Sequence, residues 1–176
     1  MNVHTNIFLI GPMGSGKSAV GRQLARELGM DFHDSDEIIE ERTGVDISYI
    51  FEKEGESGFR KREAAILAEM VREEGVVLAT GGGTVENTET RYLLQKHGTV
   101  VYLYTSVPEQ QRRTRKSRNR PLLNDGNPGK VLEKLMATRD PQYREIADIT
   151  IETDGRQVTA VTRELKNALN SDADQN

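Results

Sequence analysis

A chain of 176 residues is long enough for one α/β domain with a substantial core and short for two, and no stretch of it reads as a linker. It has no cysteine, so disulfides and thiolate metal sites are excluded, and His4, His33 and His97 are too scattered to form a ligand set. A net charge of −4, no basic leader into a long apolar stretch and no membrane-length run predict one soluble, cytoplasmic domain over residues 1–176, with no general affinity for nucleic acid or membrane.

The first predicted strand is Ile7-Phe8-Leu9-Ile10, a fully apolar run of the kind buried on both faces of a sheet. It runs into Gly11-Pro12-Met13-Gly14-Ser15-Gly16-Lys17-Ser18, which fits G-x-x-x-x-G-K-[S/T] at every fixed position. Val20, Leu24 and Leu28 then recur every four residues and Gly29 closes the segment, so a helix starts at the loop. Strand, loop and helix are the context this motif needs. Its glycines let backbone N–H groups turn inward around a phosphate chain, and the helix N-terminus adds positive potential. Lys17 then reaches the β- and γ-phosphates, and the Ser18 hydroxyl ligates Mg2+.

Asp31-Phe32-His33 predicts a second strand leading into Asp34-Ser35-Asp36, and residues 37–43, closed by Gly44, a short helix. Ile47, Ile50 and Phe51 mark one further helical piece, and Phe59, Ile66, Leu67 and Met70 a longer one starting near Gly58. Val76-Val77-Leu78-Ala79 is the next strand and ends in Gly81-Gly82-Gly83. A short helix around residues 91–95 leads to the strand 99–103, and a polar helix over 107–115 to a loop over 116–127. A helix from about Gly129 is expected to stop before Pro141. Ile149 and Ile151 mark a last strand, Asp154-Gly155 a turn, and Val158, Val161, Leu165 and Leu169 the inner face of a final helix, with residues 170–176 frayed. Five short apolar strands alternating with helices predict a parallel sheet covered on both faces, with ligands beyond the carboxyl ends of its strands.

The phosphate loop, Asp34 and Asp36, and the triple glycine then share one rim. Asp34, nearer its strand, is placed to hold a metal-bound water, and Asp36 to accept from a substrate hydroxyl; the alternative is that these residues only cap a helix. Gly81-Gly82-Gly83 admits a ligand to backbone N–H groups, although a tight turn explains it nearly as well. Arg60 is expected at the start of a helix and Arg139 at the end of one, and each taken alone reads as a solvated surface arginine. From Arg112 to Arg120 the chain carries Arg112, Arg113, Arg115, Lys116, Arg118 and Arg120 and no acidic residue. Without aromatics, this run reads as a lid over a triphosphate more economically than as a nucleic-acid patch.

Together these motifs resemble the shikimate kinase family, P-loop kinases of aromatic amino-acid biosynthesis. The matching pieces are the phosphate loop, Asp34-Ser35-Asp36, Gly55-Glu56 with Phe59-Arg60 and Glu63, Gly81-Gly82-Gly83, Arg120-Pro121-Leu122-Leu123, and Arg139 with Pro141, Tyr143 and Ala147-Asp148. They run from about Asn6 to Gln157. The resemblance implies a nucleoside-monophosphate-kinase-like fold, an α/β sandwich on five parallel strands in the order 2-3-1-4-5, with an acceptor-binding segment over about 34–62 and a mobile lid over about 113–127. It implies a monomer that moves the γ-phosphoryl group of ATP, with Mg2+, to the 3-hydroxyl of shikimate.

By position, Gly14, Ser15, Gly16, Lys17, Ser18 and Ala19 would bind ATP, with Arg113 packed on the adenine and Gln157, rather than Arg156, supplying the remaining adenine contact. Ser18 and Asp34, the latter through water, would hold the metal. Asp36 would contact shikimate hydroxyls, Arg60 and Arg139 its carboxylate, and the Gly82 N–H its ring. Arg120 would swing onto the phosphates and, with Lys17 and Asp36, form the catalytic set; Asp36 is assigned to binding and orientation more firmly than to proton abstraction. The lid between Arg115 and Arg120 is more basic than the family leads one to expect. The nearest rivals are a gluconate or nucleoside monophosphate kinase of the same fold, and a non-catalytic nucleotide switch. A His-Pro typical of gluconate kinases is absent after the acidic pair, where Glu37-Ile38-Ile39 stands. Intact Lys17, Ser18, Asp34, Asp36 and Arg120 argue against the switch.

Overall fold

The computed structural model describes residues 5–116, 123 and 126–173. Five parallel strands form one sheet in the order β2-β3-β1-β4-β5, the order the family resemblance implies. They are β1 (Asn6–Ile10), β2 (Asp31–Asp34), β3 (Val76–Ala79), β4 (Gly98–Tyr104) and β5 (Ile149–Glu152). Central β1 pairs with β3 through Phe8 and Leu78 and with β4 through Phe8 and Val100. Side chains alternate across a strand, so Phe8 and Ile10 enter the core on one face while Ile7 and Leu9 enter the core on the other. All five residues of β1 are buried, and the four after Asn6 form the continuous apolar run that burial on both faces demands.

Helices α1 (Lys17–Leu28) and α7 (Val158–Ala173) supply Val20, Leu24, Val161 and Leu165 to the Ile7 and Leu9 face. The Phe8 and Ile10 face packs on α2 (Ser35–Thr43), α3 (Ile47–Met70), α4 (Thr88–His97) and α6 (Pro128–Ile146). A 3-10 turn, Thr84–Glu86, precedes α4, and α5 (Val107–Thr114) follows β4.

Three sequence expectations need correction. The break in α3 falls at Gly55, with φ 71° and ψ 179°, three residues before the expected restart at Gly58. That conformation is open essentially to glycine alone, and Gly55 holds it with free space around it. Helix α6 does not stop before Pro141 but runs on to Ile146. An interior proline forgoes one backbone hydrogen bond, and burial of Tyr143 and Ile146 in the core offsets that loss. Finally, α7 stays helical through Asn170 to Ala173, while residues 174–176 lie outside the described residues.

Asn6 clips the amino end of the sheet together. Its buried side chain donates to the carbonyls of Glu73 (2.5 Å) and Val71 (3.4 Å) and accepts from the Val76 N–H (3.1 Å). Asn6→Ala strands these groups at a cost of about 2 kcal/mol. The expected thermal midpoint is lower by roughly 4–8 °C with kcat unchanged, since the clip lies at the opposite end of the strands from the rim. An unaltered melting curve in calorimetry would show the clip to be dispensable.

Candidate active site

The phosphate loop leaves β1 at Gly11, whose φ is 149° and where a Cβ would sit 2.6 Å from the Leu103 carbonyl oxygen. Only glycine passes β4 that closely. Gly16, at φ 89°, then turns the chain into α1. Lys17 is anchored across the loop, its Nζ donating to the carbonyls of Gly11 (2.7 Å) and Pro12 (2.9 Å). Ser15 is buried beneath it. The N-terminus of α1 opens beside these groups, which is the arrangement that binds phosphate.

Ser18 Oγ donates to Asp34 Oδ2. The other oxygen of Asp34 accepts from the backbone N–H groups of Asp36 (2.9 Å) and Glu37 (3.3 Å), so Asp34 caps α2 while reaching the loop. Capping and site chemistry are therefore not alternatives at this residue. Because Asp34 does the capping, the Asp36 carboxylate is released into the pocket, where its Oδ1 is buried without a hydrogen-bond partner.

Asp36 does not stand alone. Glu63, only 3% exposed, takes a hydrogen bond from Arg60 Nη1 (2.9 Å) on Oε1 and leaves Oε2 unpartnered. A Cβ on Gly81 would lie 2.6 Å from Glu63 Oε2 and 3.2 Å from Asp36 Oδ1, so the two carboxylates converge over that glycine. Burial, then the neighbouring charges of Glu63 and Asp34, push Asp36 up to about 7. Burial pushes Glu63 up as well, against the pull of Arg60.

Folded protein keeps the Asp36 proton up to about pH 7, whereas the unfolded chain releases it near 3.8, so stability falls as pH rises through that window. Asp36→Asn removes this component. Its thermal midpoint is expected to exceed the wild type's by a margin that widens from pH 5 to pH 8; parallel pH profiles would contradict the unpartnered carboxylate.

The two arginines are not the solvated surface groups their sequence positions predict. Arg139 is 3% exposed and lies in the interior of α6, because that helix continues through Pro141. The Glu86 carboxylate accepts from its Nε (3.2 Å) and Nη2 (3.1 Å), while Nη1 lies 3.5 Å from where a Gly82 Cβ would stand. Arg60 sits in the second half of α3, its guanidinium 5.2 Å from the centre of the Phe59 ring. A Cβ on Gly83 would fall on that guanidinium. Glu63 and Arg60 thus press close on Gly81 and Gly83, where a Cβ would push them aside, while at Gly82 a Cβ would meet Arg139 at ordinary contact distance.

One cavity of about 410 Å³ gathers Gly14, Gly16, Lys17, Ser18, Ala19, Asp34, Asp36, Arg60, Gly82 and Arg139. Ile47, Phe51, Phe59 and Glu63 also line it. The sequence marked Ile47, Phe51 and Phe59 as helical, and Phe59 and Glu63 as pieces matching the family, but pointed to no site role for any of the four. The spacing of Arg60 and Glu63, three residues apart on one helix, was the available signal.

Arg113 and Gln157 are not among the residues that line this cavity. Arg113 donates to the carbonyls of Gly14 (3.0 Å) and Thr153 (2.7 Å), tying α5 to the loop. Gln157 is exposed and its backbone carbonyl begins α7, while Arg156 is engaged by Glu164 and the Glu152 carbonyl. Arg120 lies outside the described residues, as do Arg118, Pro121 and Leu122.

A phosphate loop on a 2-3-1-4-5 parallel sheet, with an adjoining pocket of arginines and carboxylates, defines a P-loop small-molecule kinase. The family model described as shikimate kinase matches residues 13–170. A shikimate kinase of Thioalkalivibrio sulfidiphilus is 57% identical over 165 residues, covering 94% of this chain and 87% of that protein. One of Vibrio parahaemolyticus is 52% identical over 164 residues, covering 93% and 95% respectively. The solved shikimate kinase of Acinetobacter baumannii in complex with shikimate superimposes with a TM-score of 0.94 at 47% identity, covering 96% of this chain and 94% of that one. The chain belongs to the shikimate kinase family.

Proposed function

We propose that the chain transfers the γ-phosphoryl group of ATP to the 3-hydroxyl of shikimate, giving shikimate 3-phosphate and ADP. One observation carries this reading: a single cavity in which Lys17 and the phosphate loop stand beside Asp36, Arg60 and Arg139. A small polyol carboxylate needs cations for its acid group and a carboxylate for its hydroxyls, and the planar fork of arginine suits two carboxylate oxygens at once. The Acinetobacter baumannii relative holds a ligand of this kind.

In this reading Arg60 and Arg139 bind the acceptor's carboxylate, and Gly82 and Asp36 its ring and hydroxyls. Asp36 orients the 3-hydroxyl and can take its proton, being a carboxyl that burial pushes up to about 7. Lys17 counters the charge that spreads over the γ-phosphoryl oxygens, and Arg120 joins it from the lid. Gly14, Ser15, Gly16, Ser18 and Ala19 cradle the remaining phosphates, with Arg113 and Gln157 at the adenine edge. Residues 34–62 form the acceptor-binding segment and 113–127 the lid.

The oxygens of Ser18 and Asp34 already meet in a hydrogen bond, and hard oxygen donors fit Mg2+. Among the described residues no group of three His, Asp or Glu side chains gathers to hold a metal, in keeping with an ion that takes few protein ligands and keeps its waters and phosphates. Ser18, and Asp34 through water, would hold it, and its chemistry is to neutralise phosphate charge.

The test is ADP release from purified protein with Mg-ATP and shikimate, quinate, gluconate, AMP or no acceptor. Stimulation by shikimate alone, with the phosphorylated product seen by mass, is expected. Stimulation by another acceptor would reassign Arg60, Arg139 and Asp36, and ATP turnover with no acceptor phosphorylated would favour a nucleotide switch.

A further inference from the structure

We infer that Tyr143 is a positioning residue of the acceptor site, holding the triple-glycine turn in register with Arg139 through its hydroxyl. This rests on the acceptor reading above. Tyr143 is completely buried, and its hydroxyl donates to the Gly82 carbonyl at 2.5 Å. That bond fixes the peptide between Gly82 and Gly83. The preceding carbonyl, of Gly81, accepts from the Thr84 N–H (3.2 Å), so the turn is anchored on both sides of Gly82.

Such anchoring is needed because side chains cannot hold this segment. Glu63 Oε2 crowds position 81 and the Arg60 guanidinium position 83, both positions carry no side chain, and glycine is the residue with the most backbone freedom to lose. Tyr143 supplies the constraint from outside. It stands one helical turn beyond Arg139 on α6, so a single rigid helix carries both the guanidinium and the group that holds Gly82 beside it. Its ring is wedged against Tyr102, with centroids 4.8 Å apart, which leaves the hydroxyl little freedom to wander. Burial pushes the Tyr143 hydroxyl well above its ordinary range, so it remains a donor at every working pH. The continuation of α6 through Pro141 thereby has a functional consequence: a helix ending before the proline would keep Arg139 and lose this link.

Tyr143→Phe keeps the ring and deletes the bond. Tyr102→Phe is the matched control, since the Tyr102 hydroxyl donates to Asp140 (2.7 Å) and its residue does not line the cavity. Wild type, both variants and Tyr143→Leu are compared for KM of shikimate, KM of ATP, kcat and melting temperature. Tyr143→Phe is expected to raise the shikimate KM about tenfold, with the ATP KM unchanged and kcat reduced less than threefold. Tyr102→Phe should lower the melting temperature alone. A Tyr143→Phe protein that melts earlier but keeps the wild-type shikimate KM would reduce the hydroxyl to a packing role and overturn the inference, as would equal KM increases in both Tyr→Phe variants. Should Tyr143→Leu fail to fold, Tyr143→Phe still decides the matter. Failure of the acceptor reading is distinguishable, because wild type would then show no shikimate-dependent ADP release at all.

Discussion

Lys17→Ala is expected to lower kcat by about three orders of magnitude, equivalent to about 4 kcal/mol of transition-state stabilisation, while leaving the fold intact. The lysine lies across the phosphate loop on the carbonyls of Gly11 and Pro12, inside the cavity where the transferred group would sit. Its ammonium is a preorganised charge in a site that excludes water as it fills, where one donor aimed at developing charge has its greatest effect. Stability should fall only modestly: the lysine gives up hydrogen bonds to the carbonyls of Gly11 and Pro12, both buried residues, so the variant is expected to stay folded with a circular dichroism midpoint a few degrees below wild type. Steady-state ADP release at saturating ATP and shikimate measures the effect, and turnover near wild type would contradict the loop's assignment.

Arg139→Ala has the second largest expected effect, and on a different constant. The shikimate KM should rise about a hundredfold, the loss typical of a buried charge removed from a charge-assisted pair, with the ATP KM little changed. Burial is what makes the loss large. At 3% exposure the guanidinium is already desolvated, and Glu86 holds two of its nitrogens while Nη1 faces Gly82. Arg139→Lys should recover little of the affinity, because an ammonium cannot grip Glu86 and a substrate carboxylate in one plane. An increase confined to the ATP KM would put Arg139 in the wrong pocket.

The strands were legible because parallel strands buried on both faces must be short unbroken apolar runs, and Val76–Ala79 is one with no polar residue. The Gly29 and Gly44 ends of α1 and α2 were legible for a comparable local reason: both adopt left-handed conformations that suit glycine. Expectation failed where a local rule met a distant contact. Pro141 signals a helix end, yet Tyr143 and Ile146 have buried places waiting beyond it. Gly55 and Gly58 are both plausible breaks, and only the backbone conformation at Gly55 chooses between them. Arg139 reads as a surface side chain because nothing near it in sequence discloses that Glu86 has come to meet it; Arg60 has Glu63 three residues on, but nothing local shows that the pair packs against the triple glycine.

By itself the sequence determined the phosphate loop, the parallel sheet that carries it and the kinase family. The physical reason is that these rest on contiguous residues, on backbone N–H groups, glycine turns and a following helix, whose chemistry is complete within a few positions. Only the tertiary structure decided which carboxylate would cap and which would go unpaired, and that Asp36 and Glu63 converge over Gly81. It alone decided that Arg139 is buried and that Tyr143 holds Gly82. Burial and pKa are sums over neighbours brought together from β2, α2, α3 and α6, and such sums exist only once the chain has folded.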